Sequence, residues 1–207
     1  MLKIWGRTTS INVQKAMWAV GELGLPHERI DVGGSFGKNK ERPYLAMNPN
    51  GLVPTLEEDG FFLWESNSIV RYLAAKHGAG GLEPDDLRER ARASSWMDWH
   101  LTVAQPALTP VFWGLIRTAP EQRDHAAIEA GKVKSIAAMR ILDAQLAKTR
   151  FVAADNFTMG DIPVAASSYR FRRLMPDRPP LDNLECWFAG IEQRPAFKEH
   201  VAAVPFV

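Results

Sequence analysis

Residues 48–56 read Asn-Pro-Asn-Gly-Leu-Val-Pro-Thr-Leu, and residues 64–69 read Trp-Glu-Ser-Asn-Ser-Ile. Proline has no N–H for a sheet ladder, so Pro54 predicts the first residue or the edge of a strand. Asp59-Gly60 then predicts a two-residue hairpin turn into a second strand. Ser66 predicts the N-cap of a helix that follows this hairpin. The two stretches therefore indicate a strand–strand–helix unit.

The residues before this unit predict two strands and two helices. Residues 2–5 alternate like a strand, and apolar residues recur at helical spacing from position 13 until Gly24 ends the helix. Residues 27–32 predict a second strand, and residues 42–47 predict a short helix. The order strand, helix, strand, helix, strand, strand, helix indicates an α+β N-terminal domain at residues 1–77.

The rest of the chain is predicted to be helical. Residues 78–84 are glycine-rich and end in a proline, so they predict a linker. Pro106 and Pro110 should kink or break the first helix of the all-α C-terminal domain, residues 85–207. The predicted helices are 85–117, which is one long helix or two joined ones, and 121–148, 162–174, 181–191 and 196–203.

Composition narrows the class of protein. The net charge of the 207 residues is about +1, so no overall field favours nucleic acid or an anionic membrane. Cys186 is the single cysteine, which suits a reducing compartment and makes the cytoplasm the expected location. No apolar run reaches the ~20 residues of a membrane-spanning helix. The five histidines have no ligand-like spacing, so no metal site is predicted.

Glu65 and Ser66 fit the headgroup of an α-amino acid. Backbone N–H groups at the positive end of a helix that Ser66 caps would suit a carboxylate, and Glu65 could hold an ammonium. Simple capping of the helix is the alternative for this pair of residues.

Taken together, these stretches resemble the glutathione transferase superfamily, in its bacterial, cytosolic type with a serine/threonine–asparagine active-site stretch. Residues 157–162, Phe-Thr-Met-Gly-Asp-Ile, continue the resemblance as the capping motif of that family's helical domain. The resemblance implies a thioredoxin-like first domain with a cis bond before Pro54. It also implies a homodimer with glutathione as co-substrate, bound through Leu52, Val53, Pro54, Glu65 and Ser66.

Residues 7–15, Arg-Thr-Thr-Ser-Ile-Asn-Val-Gln-Lys, contain no cysteine, which excludes dithiol exchange by the protein's own sulfur. The resemblance implies that Ser10 and Asn12 donate hydrogen bonds to the glutathione thiolate, with Thr9 in reserve. The alternative for Ser10 is capping of the first helix. Some classes of the family place the catalytic residue at the position of Ile11, which cannot donate a hydrogen bond.

Leu52 stands where many relatives have a lysine or glutamine that contacts the glutathione backbone. A side-chain contact is therefore missing at Leu52, and Lys38 or Lys40 is expected to reach the glycine carboxylate.

The resemblance implies that the glutathione thiolate attacks a small apolar electrophile, and that the helical domain lines the electrophile pocket. Trp99, Trp113 and Arg117 are the candidates for this pocket, although each tryptophan could be a core or dimer contact instead. Glutathione-dependent peroxidase or dehalogenase chemistry would use the same thiolate. A non-catalytic ligand-binding or assembly protein is the other alternative, and the presence of Ser10, Glu65 and Ser66 argues against it.

Overall fold

The strands of the N-terminal half form one four-stranded sheet in the computed structural model, which describes residues 1–207. They are β1 (Leu2–Trp5), β2 (His27–Ile30), β3 (Thr55–Glu58) and β4 (Phe61–Trp64). Their order is β2-β1-β3-β4, with β1 parallel to β2 and antiparallel to β3. Ile4 and Leu56 lie opposite each other in this sheet, and both are fully buried. The predicted thioredoxin-like order is confirmed.

Three helices accompany the sheet: α1 (Ile11–Glu22), α2 (Arg42–Met47) and α3 (Ser66–His77). Helices α1 and α3 pack against each other through buried apolar faces. Gly24 ends the first helical segment with a φ of +61°, and the Leu25 N–H donates to the Val20 carbonyl. This is the geometry of a Schellman cap, in which glycine adopts the left-handed conformation without a steric cost. The predicted end of the helix at Gly24 is confirmed.

The start of α3 differs from the prediction that Ser66 is its N-cap. Glu65 occupies the N-cap position with a φ of +68°, and Ser66 is the first helical residue. The Glu65 carbonyl accepts the first intrahelical bond, from the Ile69 N–H. Because Ser66 is the first helical residue, it does not hold the N-cap position, and its hydroxyl donates to Asn12 Oδ1 of α1 at 3.4 Å.

The second half of the chain is helical, as predicted. Its helices are α4 (Leu87–Trp99), α5 (Gln105–Phe112), α6 (His125–Leu146), α7 (Asp161–Leu174) and α8 (Asp182–Ile191). The chain stays helical through Pro106 and Pro110, and π-helical turns at His100–Ala104 and Trp113–Arg117 lie before and after them. Wider turns of this kind accommodate the missing proline N–H groups without ending the helix. None of the helices combines the length and apolar character needed to cross a membrane.

The capping motif at the start of α7 is buried, and its aspartate makes the hydrogen bonds that hold it. The Asp161 carboxylate accepts hydrogen bonds from the Thr158 N–H and hydroxyl, at 2.9 and 3.1 Å. It also accepts from the Val152 N–H and the Trp187 indole, so one carboxylate ties α7 to a loop and to α8. Burial raises the pKa of Asp161 to about 6, against the lowering effect of these four donors.

The chain forms two compact units, and the predicted helical domain shifts at its C-terminal end because residues 194–206 belong to the first unit. Unit 1 comprises Met1–Glu83 with Arg194–Phe206, whereas unit 2 comprises Pro84–Gln193 with Val207. The sequence predicts residues 194–206 in the helical domain, but they pack on α1 as the short helix α9 (Pro195–Phe197) and a following turn (Lys198–Ala202).

Contacts distant in sequence explain this shift. Arg194 forms two hydrogen bonds to the Glu22 carboxylate, at 2.6 and 2.7 Å. The Phe197 ring packs on Trp18 with 5.1 Å between ring centroids. The predicted linker at 78–84 is an ordered turn in which the Gly78 carbonyl accepts from the Glu83 N–H at 2.8 Å.

Candidate functional site

Ser10 lies at the N-terminal end of α1 with an uncommitted side chain. Its backbone has the extended conformation of an N-cap residue, and its carbonyl accepts the Gln14 N–H at 2.9 Å. Its hydroxyl makes no capping hydrogen bond to the helix. The alternative prediction, that the Ser10 side chain caps the first helix, is therefore wrong. The hydroxyl and the first-turn N–H groups of α1 remain available to a ligand.

Asn12 and Ser66 bring the two predicted ligand-binding stretches into contact. The Ser66 hydroxyl donates to Asn12 Oδ1 at 3.4 Å, and the Ser66 side chain is 4% exposed overall. This contact uses the amide oxygen of Asn12, so its amide nitrogen, which has no acceptor in the protein, remains a possible donor. The stretch near Ser10 and the start of α3 thus share one edge of unit 1.

A buried pair supports this edge and was not identified from the sequence. Lys15 Nζ donates to Asn67 Oδ1 at 3.1 Å, and both side chains are buried between α1 and α3. Lys15 follows Asn12 by three residues, so the two lie on the same side of α1. A lysine on the apolar side of a helix was the available signal, because buried lysines need a polar partner.

The loop before β3 has a fixed backbone. The Val53-Pro54 bond is cis, which confirms the expectation drawn from the family resemblance. The Leu52 carbonyl accepts from the Tyr44 hydroxyl at 2.7 Å and from Asn48 Nδ2 at 2.9 Å. Burial raises the pKa of the Tyr44 hydroxyl, which keeps it protonated as a donor. The roles of Tyr44 and Asn48 are not predictable from local sequence, because they depend on the Leu52 carbonyl, which lies several residues away.

The same network positions the backbone of Val53. Gly6 lies beside this loop, and a Cβ atom at Gly6 would collide with Val13 and lie 3.3 Å from Val53 Cβ. Only glycine permits so close an approach of β1's end to the loop. The Leu52 side chain is 62% exposed and points a large apolar group into solvent.

Lys38 and Lys40, the two candidates for the glycine carboxylate, differ in their contacts. Lys40 Nζ donates to the Asn50 carbonyl at 3.1 Å, so this ammonium already has an acceptor in the loop before β3. Lys38 is exposed in a backbone turn with a φ of +65°, and its ammonium has no partner in the protein. Of the two, Lys38 is the one whose charge is available to a ligand.

Glu65 presents an exposed carboxylate next to the N-terminus of α3. The carboxylate makes no hydrogen bond within the protein, and the positive φ of Glu65 turns the chain sharply there. The N–H of Ser66 has no intrahelical acceptor, as in the first turn of any helix. A negative side chain and unpaired N–H groups therefore stand side by side, which suits the two charges of an amino-acid headgroup.

The three residues predicted for the electrophile pocket lie on one helical stretch of unit 2. Trp99 is half-buried with its ring edge-on to Trp96, at 4.9 Å between centroids. Trp113 is 59% exposed, and Arg117 donates to the Val207 carbonyl at 2.7 Å. Since a helix rises about 1.5 Å per residue, Trp99 and Trp113 are separated by roughly 20 Å. A small molecule would therefore contact Trp99 or the Trp113–Arg117 end, and not both.

No three His, Cys, Asp or Glu side chains anywhere in the chain are grouped so that they could hold a metal ion. The absence of a metal requirement stays a prediction.

Comparison with known proteins gives matches along both units. A family profile described as "Glutathione S-transferase, N-terminal domain" matches residues 9–76. Glutathione S-transferase GstB of Escherichia coli (strain K12) is 43% identical over 203 residues, which cover 97% of this chain and 98% of the relative. Glutathione S-transferase 3 of Zea mays is 29% identical, with 99% and 95% of the two chains covered.

A solved structure matches equally well. The crystal structure of the theta class glutathione S-transferase from Xanthomonas axonopodis pv. citri, with glutathione bound, is similar with a TM-score of 0.95. Sequence identity is 40%, and the match covers 100% of this chain and 99% of that one.

Proposed function

This chain belongs to the glutathione transferase family, and we propose that Ser10 and Asn12 hold the glutathione thiol as a thiolate for attack on a small apolar electrophile. The enzyme is a glutathione transferase. The observation that carries it is the contact between Ser66 and Asn12, at 3.4 Å, beside a Ser10 hydroxyl that has no other partner. Because of this contact, a peptide anchored at residues 65 and 66 can extend its sulfur toward Ser10.

The donors at the end of α1 are sufficient to ionise the thiol near neutral pH. An ordinary thiol has a pKa of about 8.5, and lowering it by two units requires about 2.7 kcal/mol in favour of the anion. A hydrogen bond to a charged group contributes about 1.5–3 kcal/mol. A helix N-terminus adds about 0.3–1 kcal/mol, and up to about 2 in a partly buried site. One hydroxyl and the end of the helix therefore account for the whole shift, with Asn12 as a second donor and Thr9 in reserve.

Glutathione is proposed to bind through both of its ends and its central backbone. The ammonium of its γ-glutamyl end would pair with Glu65, and the neighbouring carboxylate would accept from the N–H of Ser66. The backbone of Val53 would pair with the cysteinyl residue, held in place by the bonds to the Leu52 carbonyl. Lys38 would pair with the glycine carboxylate.

The reaction forms one bond and rearranges another. The thiolate sulfur donates an electron pair to an electrophilic carbon, and a leaving group departs with its bonding pair or, in an addition, the adjacent double bond takes up the electrons. In an addition, a proton from solvent then reaches the carbon that received the charge. The aromatic surface of unit 2, at Trp99 or at Trp113 and Arg117, is proposed to bind the apolar body of the electrophile.

We also propose a homodimer and a cytoplasmic, detoxifying role. The edge strand β4 exposes Phe61, Phe62 and Trp64, by 47%, 40% and 39%, and exposed aromatic patches of this kind mark protein interfaces. Cys186 is an exposed thiol with no second cysteine in the chain, which suits a reducing compartment. Sedimentation of the purified protein tests the dimer, and Trp64→Glu should shift it toward monomer.

The decisive experiment measures glutathione binding and then conjugation. The protein is bound to immobilised glutathione, eluted, and incubated with glutathione and a panel of aryl halides, enones, organic peroxides and haloalkanes. Mass spectrometry should detect glutathione conjugates of at least one carbon electrophile. Glutathione binding without turnover of any electrophile would contradict the proposal and favour a ligand carrier, whereas turnover of peroxides alone would favour a peroxidase.

A further inference from the structure

A partly open cavity of about 250 Å³ lies in unit 1 beside the edge strand β2. Its walls come from the loop before α1, from α1 itself, from β2 and from the C-terminal turn that packs on α1. None of the residues proposed to bind or activate glutathione lines it. The cavity is therefore distinct from the proposed glutathione site.

One side of this cavity is apolar. Val13 and Met17 are buried residues one helical turn apart on α1, and Val204 faces the cavity from the C-terminal segment. An apolar cavity of about 150 Å³ is large enough to hold benzene. The present cavity has room for one aromatic ring and a small polar substituent.

His200, on the other side, has no hydrogen-bond partner in the protein. Its side chain is 11% exposed, and the nearest carboxylate, that of Glu199, is 3.9 Å from Nε2, beyond hydrogen-bond distance. The ring fits against α1 because residue 21 is a glycine, where a Cβ atom would lie 2.8 Å from the imidazole. The ring nitrogens keep some contact with solvent, so a ligand that bonds to one of them takes the place of water there.

Two side chains of β2 add donors at the same end. His27 Nδ1 donates to the Leu25 carbonyl at 2.9 Å, and its ring lies 6.3 Å from that of His200. Arg29 donates through Nη1 and Nη2 to Asp31, and Nη1 also reaches a backbone carbonyl. Its Nε–H has no acceptor in the protein and remains available. Two imidazoles and a guanidinium line the cavity together with one carboxylate, that of Glu199, and an apolar wall. The donors outnumber this single acceptor, which favours an acceptor group on an apolar body.

We propose that this cavity binds a monocyclic aromatic carboxylate, with the ring against Val13, Met17 and Val204 and the carboxylate at His200. The ligand differs in chemistry from glutathione, which is polar along its whole length. The charged and titratable groups next to His200 are Glu199 on its own turn and His27 on β2, and Arg29 of β2 lines the same cavity. Helix α1 faces it with Gly21, which has no side chain. Burial lowers the pKa of His200, Glu199 opposes this, and His27 adds to it.

The test uses benzoate as probe and the full-length protein at pH 7. An NMR titration should show saturable binding with a Kd on the order of 1 mM, and benzyl alcohol, which has the ring without the charge, should bind at least tenfold more weakly. The pKa of His200, followed through its ring signals, should rise when benzoate saturates the protein, because an anion favours the protonated imidazole. Glutathione should not displace benzoate.

Two variants and a control locate the site. His200→Leu removes the ring nitrogens and should weaken benzoate binding about tenfold or more, the effect expected for a lost bond to a charged group. Val204→Phe fills the apolar end and should abolish binding, while His125→Leu, at an exposed histidine of unit 2, should leave it unchanged. An unshifted His200 pKa, displacement by glutathione, or unchanged affinity in the folded Val204→Phe variant would overturn the proposal. If His200→Leu does not fold, the pKa measurement and Val204→Phe decide the question.

Discussion

Replacing Ser10 by alanine should change the pKa of the bound thiol without changing the stability of the protein. The Ser10 hydroxyl caps nothing in the protein, so its removal deletes no hydrogen bond of the folded state. We expect the free energy of unfolding to change by less than about 0.5 kcal/mol. The glutathione thiolate, in contrast, loses a charge-assisted bond of about 1.5–3 kcal/mol, so the pKa of the bound thiol should rise by about 1–2 units.

The assay follows the ultraviolet absorbance of the thiolate as a function of pH, with glutathione saturating the enzyme. The midpoint for Ser10→Ala should be higher by the stated amount, and kcat/KM below that midpoint should fall about 10- to 100-fold. The dissociation constant of glutathione should change little, because its anchors at residues 65 and 66 are intact. Urea denaturation of both proteins checks the stability.

Two control variants accompany Ser10→Ala, one for the choice of hydroxyl and one for the stability measurement. Thr9→Ala removes the neighbouring hydroxyl and should leave the thiol pKa unchanged. Asp124→Ala removes a side chain that accepts the Ala127 N–H at 2.9 Å and should cost about 1 kcal/mol of stability. An unchanged thiol pKa in Ser10→Ala refutes the role of Ser10, and a raised pKa in Thr9→Ala transfers that role to Thr9.

Three other changes test the glutathione site and the core. Glu65→Ala should weaken glutathione binding about tenfold or more in calorimetry, because the ammonium loses its ionic partner; unaltered affinity would contradict the headgroup assignment. Tyr44→Phe should lower stability by about 1 kcal/mol and raise the KM for glutathione, because the Leu52 carbonyl loses one of two donors; an unchanged KM would show that this loop needs no such support. The pKa of Asp161 is raised from its ordinary value of 3.8 to about 6 in the folded protein. Its contribution to stability is therefore complete below about pH 3.8. That contribution falls by about 3 kcal/mol as the pH rises through 6. The difference in unfolding free energy between Asp161→Asn and the parent should therefore move in favour of the variant from pH 4 to pH 7, and a pH-independent difference would mean that the four donors keep the carboxylate ionised.

Local patterns in the chain predicted most of the architecture, because they depend on residues within a few positions of each other. The hairpin at Asp59-Gly60, the end of α1 at Gly24 and the capping motif at Thr158 and Asp161 are all of this kind, and all three are present. The prediction that Ser66 caps α3 was wrong, because Glu65 takes the N-cap position with a φ of +68° and Ser66 is the first residue of the helix. Capping propensity describes bonds between a side chain and the backbone near it. It does not predict a contact such as that of the Ser66 hydroxyl with Asn12, 54 residues away.

Contacts between distant segments escaped prediction for the same reason. Helix α8 follows Leu181, which cannot cap a helix, and Asp143 of α6 accepts the Leu184 N–H at 2.9 Å in its place. The sequence predicts the C-terminal turn in the helical domain, but the bonds from Arg194 to Glu22 hold it on α1. No spacing in the sequence marks such pairs, because two charged residues form an ion pair only after the fold has brought them close together.

The order of strands and helices, the thiol-free start of α1 and the glutamate–serine pair before α3 were thus fixed by the chain's own residue types, through local backbone preferences and side-chain chemistry. Which hydroxyl remains free, which lysine already has a partner and whether a cavity opens behind β2 depended on long-range packing. Each of these properties depends on which hydrogen-bond partner a side chain has. That partner is known only once segments far apart in the chain lie within hydrogen-bonding distance.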